Sequence, residues 1–145
     1  MSKPKAKKYT LEIEFDIDFE LIGISSHIKD YKLSWKLNEE LEWKLERKED
    51  LLIKSSKGVD ILLKQFYYQD IVFNSEHFLI NNKSENGYFL PELKMADYIL
   101  ISRYSENKEH YEKLVVNLRA ISHVLTAFNI NTNTIVNKHH LSHFL

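Results

Sequence analysis

Near the middle of the chain stands the segment Leu90-Pro91-Glu92-Leu93-Lys94-Met95-Ala96-Asp97-Tyr98. Pro91 fixes its own φ and has no amide proton, so it ends the preceding strand and favours a short helical turn. Glu92 then lies at the positive end of that turn. Because an apolar strand pattern resumes at Ala96, the segment predicts a strand stop, a capped turn and a strand restart.

The restarted strand places one acidic residue among apolar ones. Asp97 shares a face with Ile99 and Ile101, while Tyr98 lies on the other face. A carboxylate on a buried face needs partners, since an unpaired buried charge is costly. Asp97 either locks a loop through backbone amides or forms, with Glu92, a carboxylate pair for acid–base chemistry or a divalent cation. No nucleophile or further ligands accompany the pair, so the structural interpretation is favoured. The candidate motif residues are Pro91, Glu92, Asp97 and Tyr98.

The residues before this segment predict an antiparallel sheet. Strand-like patterns cover residues 43–53, 60–68 and 71–80, and residues 55–58 have the composition of a turn. Residues 81–87 predict a surface turn, in which Asn86-Gly87 is the strongest signal.

The N-terminal region changes its hydrophobic period. From residue 11 to residue 21, apolar side chains alternate with acidic ones, which predicts a strand with one buried face. After Gly23 the apolar spacing becomes helical. We therefore predict a helix from about Ser26 to Leu41, with an apolar face formed by Ile24, Ile28, Tyr31 and Trp35 and extended by Leu37 and Leu41.

The start of this helix is a candidate site formed by Ser25, Ser26 and His27. A serine there can accept a hydrogen bond from the first-turn amides, and free amides at a helix N-terminus can also hold an anion. Every helix begins in this way, so plain capping is favoured over an anion site.

The C-terminal third predicts a second helix, a last strand and a docked tail. Apolar residues recur at helical spacing from Tyr111 to Ile121, with Ser105 as N-cap, and residues 124–130 are strand-like. In the tail, His139 and His143 could share a metal on one helical face. No acidic third ligand stands near them, and Leu141, Phe144 and Leu145 indicate a short apolar helix that packs on the domain. No metal site is therefore predicted.

The elements follow the order β-α-β-β-β-β-α-β. This order predicts an α+β two-layer sandwich, in which a mostly antiparallel sheet of five to six strands packs with two main helices. Residues 1–8 are expected to form a basic flexible tail, and residues 9–145 a single domain.

Composition excludes several classes of function. The 145 residues carry a formal net charge of −1, so nothing favours bulk attraction to nucleic acid or to an anionic membrane. The chain has no cysteine, which fits a reducing compartment, and three glycines are too few for a phosphate-binding loop. Apolar runs are short and broken by charge, and no secretory signal is visible. We expect a cytoplasmic protein that contacts no membrane, with nucleic acid disfavoured as a partner.

Residues 90–98 resemble the signature of the IPExxxVDY family, which are small uncharacterised proteins of Bacteroidota. Leu90 stands for the isoleucine of that signature and Ala96 for its valine. The same pattern is matched by residues 15–19, 21–27, 29–33, 35, 86–88 and 125–128. The resemblance implies a bacterial cytoplasmic protein with an unassigned activity, and it supplies no catalytic residue.

Three functions are compatible with these patterns. The favoured one is a non-catalytic cytoplasmic interaction or small-ligand-binding module, for which a homodimer or another protein partner stays open. The first alternative is an enzyme that uses Glu92, Asp97, Tyr98 or His27. The second is an RNA- or ribosome-associated accessory protein that binds through the lysine tail. No catalytic residue, cofactor or metal is assigned.

Overall fold

The computed structural model describes residues 18–104, 109–136 and 138–144. Its helices are α1 (Asp30–Leu41) and α2 (Glu109–Ala120). Short 3-10 turns cover Pro91–Leu93, Thr132–Thr134 and Lys138–Phe144. The strands are β1 (Glu20–Ser26), β2 (Glu46–Lys54), β3 (Asp60–Asp70), β4 (Ser75–Asn81), β5 (Lys83–Ser84), β6 (Gly87–Tyr88), β7 (Tyr98–Tyr104) and β8 (Val124–Ile130).

Six strands form one sheet in the order β2-β3-β4-β7-β1-β8, and every neighbouring pair is antiparallel. The two shortest strands, β5 and β6, pair separately as a small hairpin. β1 lies between β7 and β8, with Ile22 opposite Leu100 on one side and Asn129 on the other. The predicted α+β class, element order and antiparallel sheet are confirmed.

The sheet is buried on both faces. Leu33 and Leu37 of α1, together with Leu114 and Leu118 of α2, pack on one face. The other face is covered by the segment after β6 and by the C-terminal 3-10 turn, which contribute residues Phe89, Leu90, Ala96, Leu141 and Phe144. Burial on two faces explains why β1 and β7 contain consecutive apolar residues instead of an alternation. The predicted docked tail is confirmed for Leu141 and Phe144.

The start of α1 differs from the prediction. The helix begins at Asp30, and its N-cap, Lys29, makes no side-chain capping bond. Ser25 and Ser26 belong to β1, because β1 is hydrogen-bonded to β7 and β8 over its length and this pairing outweighs the local capping preference of serine. The predicted helix N-terminal site at Ser25, Ser26 and His27 is therefore wrong.

The predicted apolar face of α1 is wrong for two of its residues. Tyr31 and Trp35 are exposed, and their rings form an edge-to-face pair with centroids 5.9 Å apart. Leu37, which was predicted on that face, is buried against the sheet, and Leu33 is buried beside it. In α2 the predicted spacing is confirmed, since Tyr111, Leu114, Val115 and Leu118 are buried.

Two predictions in the middle of the chain need correction. Residues 71–74 form the turn between β3 and β4, so the strand predicted at residue 71 begins only at Ser75. Asn82, placed by the sequence in a surface turn, is fully buried. The turn at residues 55–58 is confirmed, with Gly58 at φ 78° and its amide bonded to the Ser55 carbonyl at 2.9 Å. Residues 1–17 and Ser105, hence the basic tail, most of the alternating segment and a predicted N-cap, lie outside the described residues.

Candidate functional site

Pro91 begins the predicted turn, but the strand before it ends already at Tyr88 and the next strand begins at Tyr98, not at Ala96 as predicted. Pro91 opens the 3-10 turn Pro91–Leu93, in which the Leu93 amide donates to the Leu90 carbonyl at 3.0 Å. The Ala96 amide then donates to the Leu93 carbonyl, also at 3.0 Å. Leu90 and Ala96 are fully buried, so the segment between them is anchored at both ends.

Asn82 is the residue that organises this segment. Its side-chain Nδ2 donates to the carbonyls of Leu93 and Ala96, each at 2.9 Å, and its Oδ1 accepts from the Leu90 amide at 2.8 Å. Its own backbone amide donates to the Asp97 carbonyl at 3.0 Å. One buried amide therefore satisfies three backbone groups of a loop that has no ladder of its own.

Asp97 closes the same loop against β1. Its Oδ2 accepts from the Ser26 amide at 2.9 Å, and its Oδ1 accepts from Lys83 Nζ at 3.1 Å. Its amide donates to the Ile24 carbonyl at 2.9 Å, and Ser25 Oγ donates to the Met95 carbonyl at 2.6 Å. These contacts match the interpretation of Asp97 as a lock that works through backbone amides.

The other predicted site residues have separate surroundings. Tyr98 donates its hydroxyl to the Ile28 carbonyl at 2.6 Å, and burial, reinforced by Asp30 and Asp97, raises the pKa of Tyr98 to about 12. Glu92 lies near His139, where burial and His140 lower the pKa of His139 and Glu92 partly offsets them. The His27 side chain is exposed. Tyr98 is thus a structural hydrogen-bond donor.

A cavity of about 430 Å³ lies elsewhere, between the end of α1, the start of α2 and the β3–β4 turn. We name it the helix–hairpin cavity. None of the seven residues predicted as site residues is among those that line it within the described chain. The motif and the helix–hairpin cavity are therefore separate features.

Aromatic rings form one wall of the helix–hairpin cavity. Trp43 stacks on His77 with ring centroids 3.9 Å apart and planes inclined by 21°. The ring of Tyr68, which is not part of the lining, packs beside this pair with its centroid 6.0 Å from each of the two rings. Phe73, at the exposed β3–β4 turn, meets His110 of α2 edge-on at 5.8 Å. The wall thus joins residues from both helical regions and the hairpin.

His77 is a buried neutral imidazole at the base of this wall. Its Nδ1 lies 2.8 Å from Ser102 Oγ and its Nε2 lies 3.2 Å from Ser75 Oγ, and both serines are buried. Burial lowers the pKa of His77 to about 3, although the Asp70 carboxylate acts in the opposite direction. The imidazole is therefore uncharged at neutral pH.

Carboxylates surround the opening of the cavity. Glu39, Glu40 and Glu42 come from the last turn of α1 and its C-cap, and Asp70 comes from the end of β3. Lys113 is the one cationic side chain among the described residues that line the cavity. Within the described chain, none of the four carboxylates takes part in a salt bridge.

No protein-family model matches the chain, and no curated protein matches it either. The resemblance to the IPExxxVDY family therefore stays a prediction. Among the described helices, none has the length and apolar character needed to cross a bilayer.

The residues of the cavity were missed by sequence reasoning because they come from three distant segments. One signal was readable: Glu39, Glu40 and Glu42 stand at the C-terminal end of a helix, where the partial negative charge of the backbone favours Lys or Arg. No basic residue occupies that turn. Such an unfavourable arrangement is a local indication of function.

Proposed function

We propose that the protein is a non-catalytic module that binds a small ligand in the helix–hairpin cavity. The observation that carries this proposal is the cavity itself, whose volume of about 430 Å³ is in the range of small-molecule sites. Its lining combines aromatic rings with polar and charged groups, which can orient a small ligand. A cytoplasmic location is part of the proposal and fits a chain without cysteine.

The state of His77 supports binding over catalysis. Ser75 Oγ and His77 Nε2 are 3.2 Å apart, which resembles a nucleophile and its base. However, a pKa of about 3 makes His77 a weak proton acceptor at neutral pH. The pair is better explained as the satisfied polar floor of the cavity.

The different surroundings of Glu92 and Asp97 also disfavour the enzyme alternative. Asp97 accepts a hydrogen bond from the Ser26 amide and forms a salt bridge with Lys83, whereas the Glu92 carboxylate influences the pKa of His139. A catalytic pair would need both carboxylates to face one substrate. The motif is better explained by the loop that it holds.

The proposal is tested by ligand-observed NMR with a library of small polar and charged fragments. Asn117 lines the cavity on the exposed side of α2, so Asn117→Trp should fill its opening and abolish fragment binding. Val116→Trp is the matched control, because Val116 is the preceding residue, is 62% exposed and lies outside the lining. Fragments that bind Asn117→Trp as well as wild type, or a library without a single hit, would contradict the proposal.

A protein partner or a second copy of the chain is a second candidate, favoured by the β3–β4 turn. Ile71 and Val72 at the turn are each 86% exposed, and Phe73 beside them is 59% exposed. Consecutive exposed apolar side chains are uncommon on monomers. Sedimentation velocity across a concentration series should show self-association that Ile71→Ser with Val72→Ser removes, and a monomer at all concentrations would exclude the homodimer.

A further inference from the structure

We propose that the helix–hairpin cavity selects a small organic cation, of the amine or quaternary ammonium class, through the carboxylates at its opening and its aromatic wall. This inference rests on the proposed function, since it names the ligand class of the same cavity.

The charges of the lining residues indicate that a ligand of the cavity is positively charged. Four carboxylates face one ammonium group, that of Lys113, whereas the whole chain has a net charge of only −1. Glu39, Glu40 and Glu42 form no salt bridge in the described chain, whereas Asp70 accepts a hydrogen bond from the Phe73 amide at 3.1 Å. Carboxylates around a recess lower the free energy of a bound cation and raise that of a bound anion.

The backbone of α1 adds to this preference. Glu39, Glu40 and the C-cap Glu42 stand at the end of the helix that carries the partial negative charge. In the free protein these groups repel one another and the helix terminus. A bound cation relieves that repulsion, so the arrangement costs stability without ligand and favours binding when a cation is present.

The aromatic wall and the volume of the helix–hairpin cavity indicate which kind of cation it binds. Trp43 and Phe73 present aromatic surface to the cavity, and aromatic faces attract organic ammonium groups. A volume of about 430 Å³ suits an organic molecule more than a bare ion. No cluster of three or more His, Cys, Asp or Glu able to hold a metal ion occurs in residues 18–104, 109–136 or 138–144. The cavity therefore fits an organic cation and not a coordinated metal.

The chain provides a fluorescent reporter of this binding. It has two tryptophans, the exposed Trp35 and the cavity-lining Trp43. In a Trp35→Phe background the emission comes from Trp43 alone. Titration of this full-length variant with choline, n-butylammonium or the neutral choline isostere 3,3-dimethylbutan-1-ol compares ligands that differ mainly in charge.

We expect choline to bind at least about tenfold more tightly than its neutral isostere, and more weakly as salt is added. Glu39→Gln with Glu40→Gln and Glu42→Gln should weaken choline binding about fivefold or more without lowering the thermal stability. The matched control carries the same charge change away from the cavity, at the exposed residues Glu46, Glu49 and Glu85, and should bind choline as the Trp35→Phe protein does.

Three results would overturn the inference. These are equal binding of choline and its isostere, equal loss of affinity in both triple variants, and binding of neither ammonium probe. Fragment binding that Asn117→Trp abolishes would, in each of these cases, leave the proposed function standing and remove only the ligand class.

Discussion

The motif loop and the helix–hairpin cavity differ in whether their polar groups have bonding partners within the chain. In the loop around Asn82 and Asp97, buried or half-buried polar atoms are bonded to backbone groups of the same chain. Around the cavity, the carboxylates of Glu39, Glu40 and Glu42 are left without a salt bridge in the described chain. A network whose polar groups are all hydrogen-bonded stabilises the fold. Carboxylates without a counter-charge lower the stability, and a bound ligand can offset this cost.

The largest expected effect concerns the motif loop, whose polar groups are hydrogen-bonded. Asn82→Ala removes three hydrogen bonds and leaves the Leu90 amide and the Ala96 carbonyl unpaired in a buried loop, while the Leu93 carbonyl keeps the Ala96 amide as its donor. We expect a loss of about 3–5 kcal/mol in the free energy of unfolding, measured by urea denaturation. The exposed Asn129→Ala is the control. A loss below about 1 kcal/mol would contradict the role of Asn82 as organiser.

The next effect concerns the floor of the cavity and depends on pH. His77 has a pKa of about 3 in the folded protein against 6.5 in the unfolded chain, so the unfolded state binds the extra proton. Stability present above pH 6.5 is therefore lost progressively as the pH falls toward 3. Between pH 7 and 4.5 we expect this group to contribute a loss of about 2–3 kcal/mol.

The measurement compares denaturation at several pH values for wild type and His77→Phe. Phenylalanine keeps a ring against Trp43 but cannot take up a proton, so the pH-dependent loss should shrink in this variant. The exposed His27→Phe should retain the full dependence. The same pH slope in wild type and His77→Phe would show that His77 does not remain neutral in the folded state.

A smaller effect separates the two bonds of Asp97. Asp97→Ala removes the acceptor of the Ser26 amide and the ion pair with Lys83, and should cost about 1–2 kcal/mol. Asp97→Asn keeps an oxygen for the Ser26 amide and loses only a half-exposed ion pair, so it should cost less than about 1 kcal/mol. Urea denaturation measures both, and equal costs would show that the charge, not the amide lock, is what matters. Choline binding should be unchanged in both variants.

The smallest expected effect is an increase in stability, and it concerns the carboxylates that line the cavity. Replacement of Glu39, Glu40 and Glu42 by glutamine removes negative charge from the end of α1, which should raise the free energy of unfolding by about 0.5 kcal/mol. Thermal unfolding at low ionic strength measures this gain, and the gain should fade with added salt. A destabilised variant would mean that these carboxylates hold the fold, and the contrast between the two regions would disappear.

Local patterns predicted what depends on neighbours in the sequence. The spacing of Tyr111, Leu114 and Leu118 predicted α2, and Pro91 predicted the stop and turn of the motif. Ser25 and Ser26 were misassigned because strand pairing with β7 and β8 overrides a capping preference. Asn82 has the residue type of a surface turn, and only its long-range partners reveal that it is buried.

The cavity was beyond such reasoning for a related reason. Trp43, Asp70, His77 and Lys113 meet only after the sheet has formed and α2 has packed on it. The order β2-β3-β4-β7-β1-β8 is a tertiary property that no local periodicity encodes. The acidic end of α1 was the part of the site open to prediction, since a helix terminus and its charges are adjacent in sequence.

The position of β1 between β7 and β8 has a consequence for how the chain folds during synthesis. Leu21 pairs with Ile101 and with Ile130, so both neighbours of β1 leave the ribosome long after it. The hairpins β2–β3 and β3–β4 can form from local contacts in the meantime. Until β7 and β8 have been synthesised, β1 has no strand to pair with and its apolar side chains stay exposed on both faces. We therefore expect slow closure of the sheet and dependence on chaperones during translation.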